Sequence, residues 1–141
     1  MKYFTIEELC ASDVARTRNI PNHPTSDVRE NLTRLIDRVL DPIREAWGGP
    51  VTVTSGFRAQ LLNKAVGGVA TSQHLSGEAA DITVGSQADN RRLFELVVSL
   101  QKEGKIAFDQ LIWEKGSATG PQWLHVSYRL GRNRNQILHL N

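Results

Sequence analysis

A single cysteine, Cys10, stands among the 141 residues. One thiol cannot close an internal disulfide, so covalent stapling plays no part in the fold. No run approaches the roughly 18 apolar residues of a membrane span, and no membrane insertion is expected. Charge of one sign is also lacking: 17 Lys and Arg against 15 Asp and Glu leave +2, too mild a balance to argue for nucleic acid. "MKYFTIEELC" has neither a long apolar core nor a small-residue cleavage site, so no secretory signal peptide is read there. Synthesis in the cytoplasm is the expectation, with any work outside following release by another route. Repeats, low-complexity stretches and internal linkers are absent, so one domain over 1–141 and a monomer are expected. Histidines are scarce, only four, which makes the setting of each informative.

What remains is ordinary globular material, 40% hydrophobic and 23% charged, enough to bury a core. Thr5 and Glu8 form a capping box that opens a short helix. "NIPNHPTSD" is a loop. From Ser26 a long helix follows, with Val28, Leu32, Leu35, Ile36, Val39, Leu40, Ile43 and Trp47 on one stripe. Pro42 is expected to kink or split it, and Gly48-Gly49-Pro50 ends it. "VTVTSGFR" (51–58) reads as a strand and turn, "RAQLLNKAV" as a short helix, and "GGVATSQHLSGE" as a glycine-bearing loop. "AADITV" (79–84), "AFDQLIWE" (107–114) and "QWLHVSY" (122–128) read as strands, with an amphipathic helix over 89–102. The tail "RLGRNRNQILHLN" has no clear period. Helices first and strands late predict an α+β fold with a central antiparallel sheet flanked by helices.

Side chains alternate faces along a strand. In "AADITV", Ala80, Ile82 and Val84 form the core face, and Ala79, Asp81 and Thr83 the small, polar one. In "WLHVSY", Trp123, His125 and Ser127 share a face opposite Leu124, Val126 and Tyr128. His74 lies in the loop entering the first of these strands, where Gly77 supplies a bend that turns it back over Asp81. Two imidazoles and a carboxylate suit zinc, which takes three protein ligands in catalytic sites and leaves a fourth position open. The His-x6-Asp spacing alone equally fits a polar loop running into a strand with a capping aspartate.

"SGFR", "LNKAVGG", "SQHLSGEAAD", "FDQLIWE" and "WLHVSY" occur in this order. Together they resemble the zinc D-Ala-D-Ala carboxypeptidase family of peptidoglycan peptidases, in particular its compact, phage-lysin-like branch. "YFTIEELCASDVARTRNIPN" and "LDPIREAWGGPVTVTSGFR" extend the resemblance over nearly the whole chain. The pattern Ser-x-His-x-x-Gly-x-Ala-x-Asp is met by Ser72, His74, Gly77, Ala79 and Asp81. The resemblance implies Zn2+ held by His74, Asp81 and His125 on one face of the sheet. It further implies hydrolysis of peptide bonds in cell-wall stem peptides, as a carboxypeptidase or as an endopeptidase of the lysin type, reached after release from the cytoplasm.

Arg58 follows a glycine turn, where a guanidinium can pair bidentately with a substrate carboxylate; a surface arginine is the plainer reading, and the resemblance favours the substrate role. Glu114, at a strand end beside the loop leading to His125, is the expected general base, or else a solvated strand-end glutamate. Several relatives carry an acid three positions before the last zinc histidine, but this chain has Gln122, which cannot accept the proton. That shifts weight to Glu114, with Asp109 a distant second. Ser72 and Gln73 are candidates for hydrogen bonds to substrate or to the ligands, though loop polarity explains them as well. His23 and His139 read as exposed loop histidines. Two rivals stand beside the peptidase: a non-catalytic module keeping the fold to bind wall or partner proteins, and a muramidase, for which no acid pair is evident.

Overall fold

The computed structural model describes residues 1–140. Two short helices open the chain, α1 (Ile6–Cys10) and α2 (Asp13–Thr17), each capped by the hydroxyl of the preceding residue, Thr5 or Ser12. The long helix follows as α3 (Ser26–Leu35), a π-helical turn (Ile36–Leu40) and α4 (Asp41–Trp47). Pro42 splits the regular α-helix as expected: a π-helical turn separates α3 from α4, although Leu40 and Asp41 just before the proline keep right-handed helical dihedrals. The wider turn, in which the Asp41 amide donates to the Ile36 carbonyl, absorbs the donor that Pro42 lacks. Gly48, left-handed at φ 77°, stops the helix.

Strand β1 (Thr52–Ser55), helix α5 (Gln60–Ala65), a 3-10 turn (Gln73–Ser76), strand β2 (Ala79–Thr83) and helix α6 (Gln87–Lys102) come next. The chain closes with β3 (Gln110–Glu114), β4 (Trp123–Ser127) and β5 (Gln136–Leu140). The fold is α+β as expected, with the strands in the order β1-β2-β4-β3-β5. The antiparallel expectation needs one correction. Strand β5 pairs parallel to β3, Leu111 opposite Ile137 and Trp113 opposite His139, so the sheet is mixed. The tail lacks periodicity because β5 is a half-covered edge whose Leu140 is 47% exposed; pairing with a distant strand defines it, and local sequence does not.

One sheet face is apolar. Ala80 and Ile82 of β2, Leu111 of β3, and Leu124 and Val126 of β4 are all 0% exposed. They share a core with Leu32, Leu35, Ile36, Val39 and Ile43 of the long helix and with Leu93 and Val97 of α6. Burying about a dozen such side chains, each contributing roughly 1.5–3 kcal/mol, is the main stabilising term. The predicted alternation holds: the residues between them, Asp81, His125 and Ile112, face the other side, where the chain builds a cleft.

Candidate metal centre

Antiparallel pairing sets Asp81 of β2 directly opposite His125 of β4. The third residue arrives from the loop. Ser72 caps the 3-10 turn by accepting the His74 amide at 3.2 Å, and Gly77, left-handed at φ 74°, ends it. A Cβ on Gly77 would lie 2.8 Å from Val28 Cγ1 and 2.9 Å from the Val28 carbonyl. The turn thus rests on α3 as only glycine permits, and His74 is folded back over the sheet at 3% exposure. Metal-ligating atoms of His74, Asp81 and His125 all lie within 4.8 Å of one another.

The tautomer of His74 is set by its surroundings. Its Nδ1 lies 2.7 Å from the Gly56 carbonyl oxygen, which only accepts, so Nδ1 carries the hydrogen. In the neutral ring Nε2 then holds a lone pair, and this atom faces Asp81 Oδ1 at 3.4 Å. His125 Nδ1 approaches the same oxygen at 3.2 Å. Two imidazole nitrogens and a carboxylate oxygen gathered this closely form a donor set that a metal cation can occupy. Burial pushes the Asp81 carboxyl up, but His125 and His74, which donate to it and carry charge when their rings are protonated, outweigh that and hold the group well below the usual carboxylate range. Asp81 is therefore ionised and ready to ligate. The donor set fits zinc.

Around this centre lies an open cavity of about 720 Å³, lined among others by Arg58, Ser72, Gln73, Glu114, Trp123 and Arg129. Glu114 shares the cleft face because Ile112 pairs with His125 and Glu114 with Trp123. Burial pushes its carboxyl above the ordinary value; His125 pulls the other way, and the charge of Asp81 adds to the rise. Gln122 is exposed and outside the lining, its amide bonded to the Glu114 carbonyl at 3.0 Å. Asp109, the second candidate base, is not brought to the cleft. It is 0% exposed and receives Arg134 Nε at 2.8 Å and Gln73 Nε2 at 2.8 Å. Those bonds, Arg134 first, hold its carboxyl down at about 2.

Arg58 lines the cleft half-buried, its amide bonded to the His74 carbonyl at 3.1 Å. Its Nε is buried with no partner within the protein. Burial lowers its pKa, countered by the charge of Asp81. Asn22 braces this segment, donating to the Cys10 and Phe57 carbonyls and accepting the Ala59 amide at 2.7 Å. Ser72 and Gln73 both line the cleft, each already engaged, Ser72 with the His74 amide and Gln73 with Asp109. Trp123 forms cleft wall, whereas Trp113 turns inward onto Phe94 and His139.

Sequence reasoning missed three contributors. The Gly56 carbonyl orients His74, Asp109 tethers Gln73, and Arg129 enters the cleft. Arg129 left a trace as the next member of the Trp123, His125, Ser127 alternation, and Asp109 was singled out for a different role, as a second candidate base.

Compared with known proteins, residues 2–113 match the family model described as Peptidase M15. The matched span takes in Arg58, Ser72, Gln73, His74 and Asp81 and ends one residue before Glu114, so Glu114 and His125 rest on geometry. A 49-residue stretch is 47% identical to a protein of Streptomyces albus G named "Zinc D-Ala-D-Ala carboxypeptidase". That stretch covers 34% of this chain and 19% of the relative.

Proposed function

The chain belongs to the peptidase M15 family, and from that premise we propose that it is a zinc-dependent peptidase acting on the peptide stems of peptidoglycan. The observation that carries this reading is the convergence of His74 Nε2 and His125 Nδ1 on Asp81 Oδ1, with His74 Nδ1 spent on the Gly56 carbonyl. His74, Asp81 and His125 hold the metal. Bound zinc supplies a Lewis acid that polarises the scissile carbonyl and makes water easier to deprotonate near neutral pH.

The remaining roles belong to the chain itself. Glu114, which lines the cleft beside the triad, takes the proton from the attacking water and returns it to the leaving amine. Arg58 orients the substrate through a carboxylate, using the donor fork whose Nε is without an internal partner. Ser72 and Gln73 contribute wall polarity while holding the turn that carries His74. Trp123 offers an apolar face to the peptide.

Elemental analysis of purified protein, followed by product identification after incubation with peptidoglycan, tests this reading. About one zinc per chain and release of wall peptides or amino acids are expected. Free D-Ala marks a carboxypeptidase, and longer stem fragments an endopeptidase of the lysin type. Metal-free protein that releases nothing would overturn the assignment. Zinc with binding but no release would favour the non-catalytic wall-binding module; against that module, Glu114 is retained in the cleft.

A further inference from the structure

The cleft does not stop at the metal centre. A second cavity of about 330 Å³, lined by Ser12, Asp13, Thr54 and Ser55, adjoins the first, and Arg58 and Asp81 line both. Arg58, Val66 and Asp81 stand between the two cavities. On the β3/β4 side, the larger cavity is bordered by two arginines of the tail, Arg129 and Arg134.

These two differ in what they already hold. Arg134 gives Nε and Nη2 to Asp109 at 2.8 and 2.9 Å, so its fork is taken. Arg129 is half-buried, and its Nε is buried without a partner. Its backbone is fixed, the amide donating to Asn133 Oδ1 at 2.8 Å. Among the described residues no ion pair involves it. The acids lining this cavity are Asp81 and Glu114. Asp81 lies opposite His125 and Glu114 opposite Trp123, and neither forms an ion pair with Arg129. A half-buried arginine that forms no ion pair and whose Nε has no partner is costly by itself. An anion from the ligand relieves that cost.

We propose that Arg129 binds a second carboxylate of the substrate, separate from the one at Arg58, so that the groove selects acidic peptides. The selected group is a free carboxylate branching from the peptide on the β3/β4 side of the bond to be cut. This inference rests on the peptidase reading above. Guanidinium and carboxylate match in planar, two-pronged geometry, which a primary amide in the same place cannot reproduce.

The test uses zinc-loaded full-length protein and synthetic stem pentapeptides ending in D-Ala-D-Ala, with glutamate at each of the three preceding positions in turn, paired with glutamine counterparts. Both kcat/KM and, on the Glu114→Gln protein, calorimetric Kd are measured. Wild type is expected to prefer the glutamate form at one position by roughly tenfold or more, the scale of a hydrogen bond to a charged group. Arg129→Gln should bring that ratio close to one, Arg129→Lys should keep part of it, and Arg132→Gln, outside the cleft, should keep all of it. A preference that survives in Arg129→Gln, or its absence from wild-type binding at all three positions, overturns the proposal. If nothing is hydrolysed yet the binding preference is present and depends on Arg129, the inference stands and the peptidase reading falls. Hydrolysis without any acid preference does the reverse, keeping the peptidase and removing the role of Arg129.

Discussion

His74 shows how much one side chain depends on atoms that are not ligands. Its ring is fixed at Nδ1 by the Gly56 carbonyl and its amide by Ser72, so its Nε2 is directed before any metal arrives. Replacing His74, Asp81 or His125 by Ala should lower zinc content from about one per chain, while His23→Ala and His139→Ala leave it unchanged. Stoichiometric zinc in His125→Ala, read by elemental analysis, would remove that residue from the site. Arg58→Lys keeps the charge but loses the fork, so kcat/KM should drop sharply with zinc retained; equal activity on purified muropeptides would end its anchoring role. For Glu114→Gln, fold and zinc should survive while turnover falls roughly 100-fold or more. A purely structural glutamate would instead lower the melting temperature and leave activity per folded molecule intact. The pH profile adds a sign. Protonated Glu114 cannot accept a proton, so activity is lost as pH falls through its pKa. That limb should vanish in Glu114→Gln, whose amide has no carboxyl to titrate.

Elements were legible where local chemistry decides them. The Thr5 cap, the apolar stripe from Val28 to Trp47, the Gly48 stop and the two-faced strands β2 and β4 all follow from period and capping. That alternation alone puts Asp81 and His125 on site-facing positions; their cross-strand register comes from the folded sheet. The parallel docking of β5 was illegible because it depends on a distant partner, whereas the π turn ahead of Pro42 and the five-residue α2 are local features too short for a period to show. Gly56 belongs with β5. It read as a turn glycine, yet a side chain there would collide with the Leu9 carbonyl at the end of α1. That close approach sets where the Gly56 carbonyl meets His74. Gly56→Ala should therefore cost about 1–3 kcal/mol by overpacking and also weaken zinc binding. Denaturant titration and metal affinity measured on one sample check this. A stability loss with unchanged zinc affinity would show that α1 supports the fold without directing the ligand.

At the scale of the whole molecule, Asp109 joins parts that the sequence leaves far apart. Its carboxylate holds Gln73 beside His74 and Arg134 in the tail, its amide donates to the Ser127 carbonyl at 2.8 Å, and its carbonyl accepts Gln136 at 3.0 Å. The turn bearing one ligand, the strand bearing another and the edge strand that widens the sheet thus meet at one residue. An aspartate just before a strand gives no such hint in sequence, because every partner is remote or defined only by the fold; it invited a catalytic reading instead. The bonds from Arg134 and Gln73 hold its carboxyl at about 2, against an ordinary 3.8. Between those values the unfolded chain binds more protons than the folded one, so stability is fully present above about pH 4 and lost as pH falls toward 2. Arg134→Ala removes the larger cause of the depression. It should be less stable than wild type at neutral pH, with the difference shrinking as pH drops through that window, because the wild type then loses what the variant already lacks. Because the Arg134 side chain is 54% exposed, solvent screens the pair and the neutral-pH difference should be modest and salt-sensitive. Urea midpoints for both proteins from pH 2 to 7 decide the matter: parallel curves would mean that Asp109 serves the fold by its hydrogen bonds alone, with no net contribution from its charge.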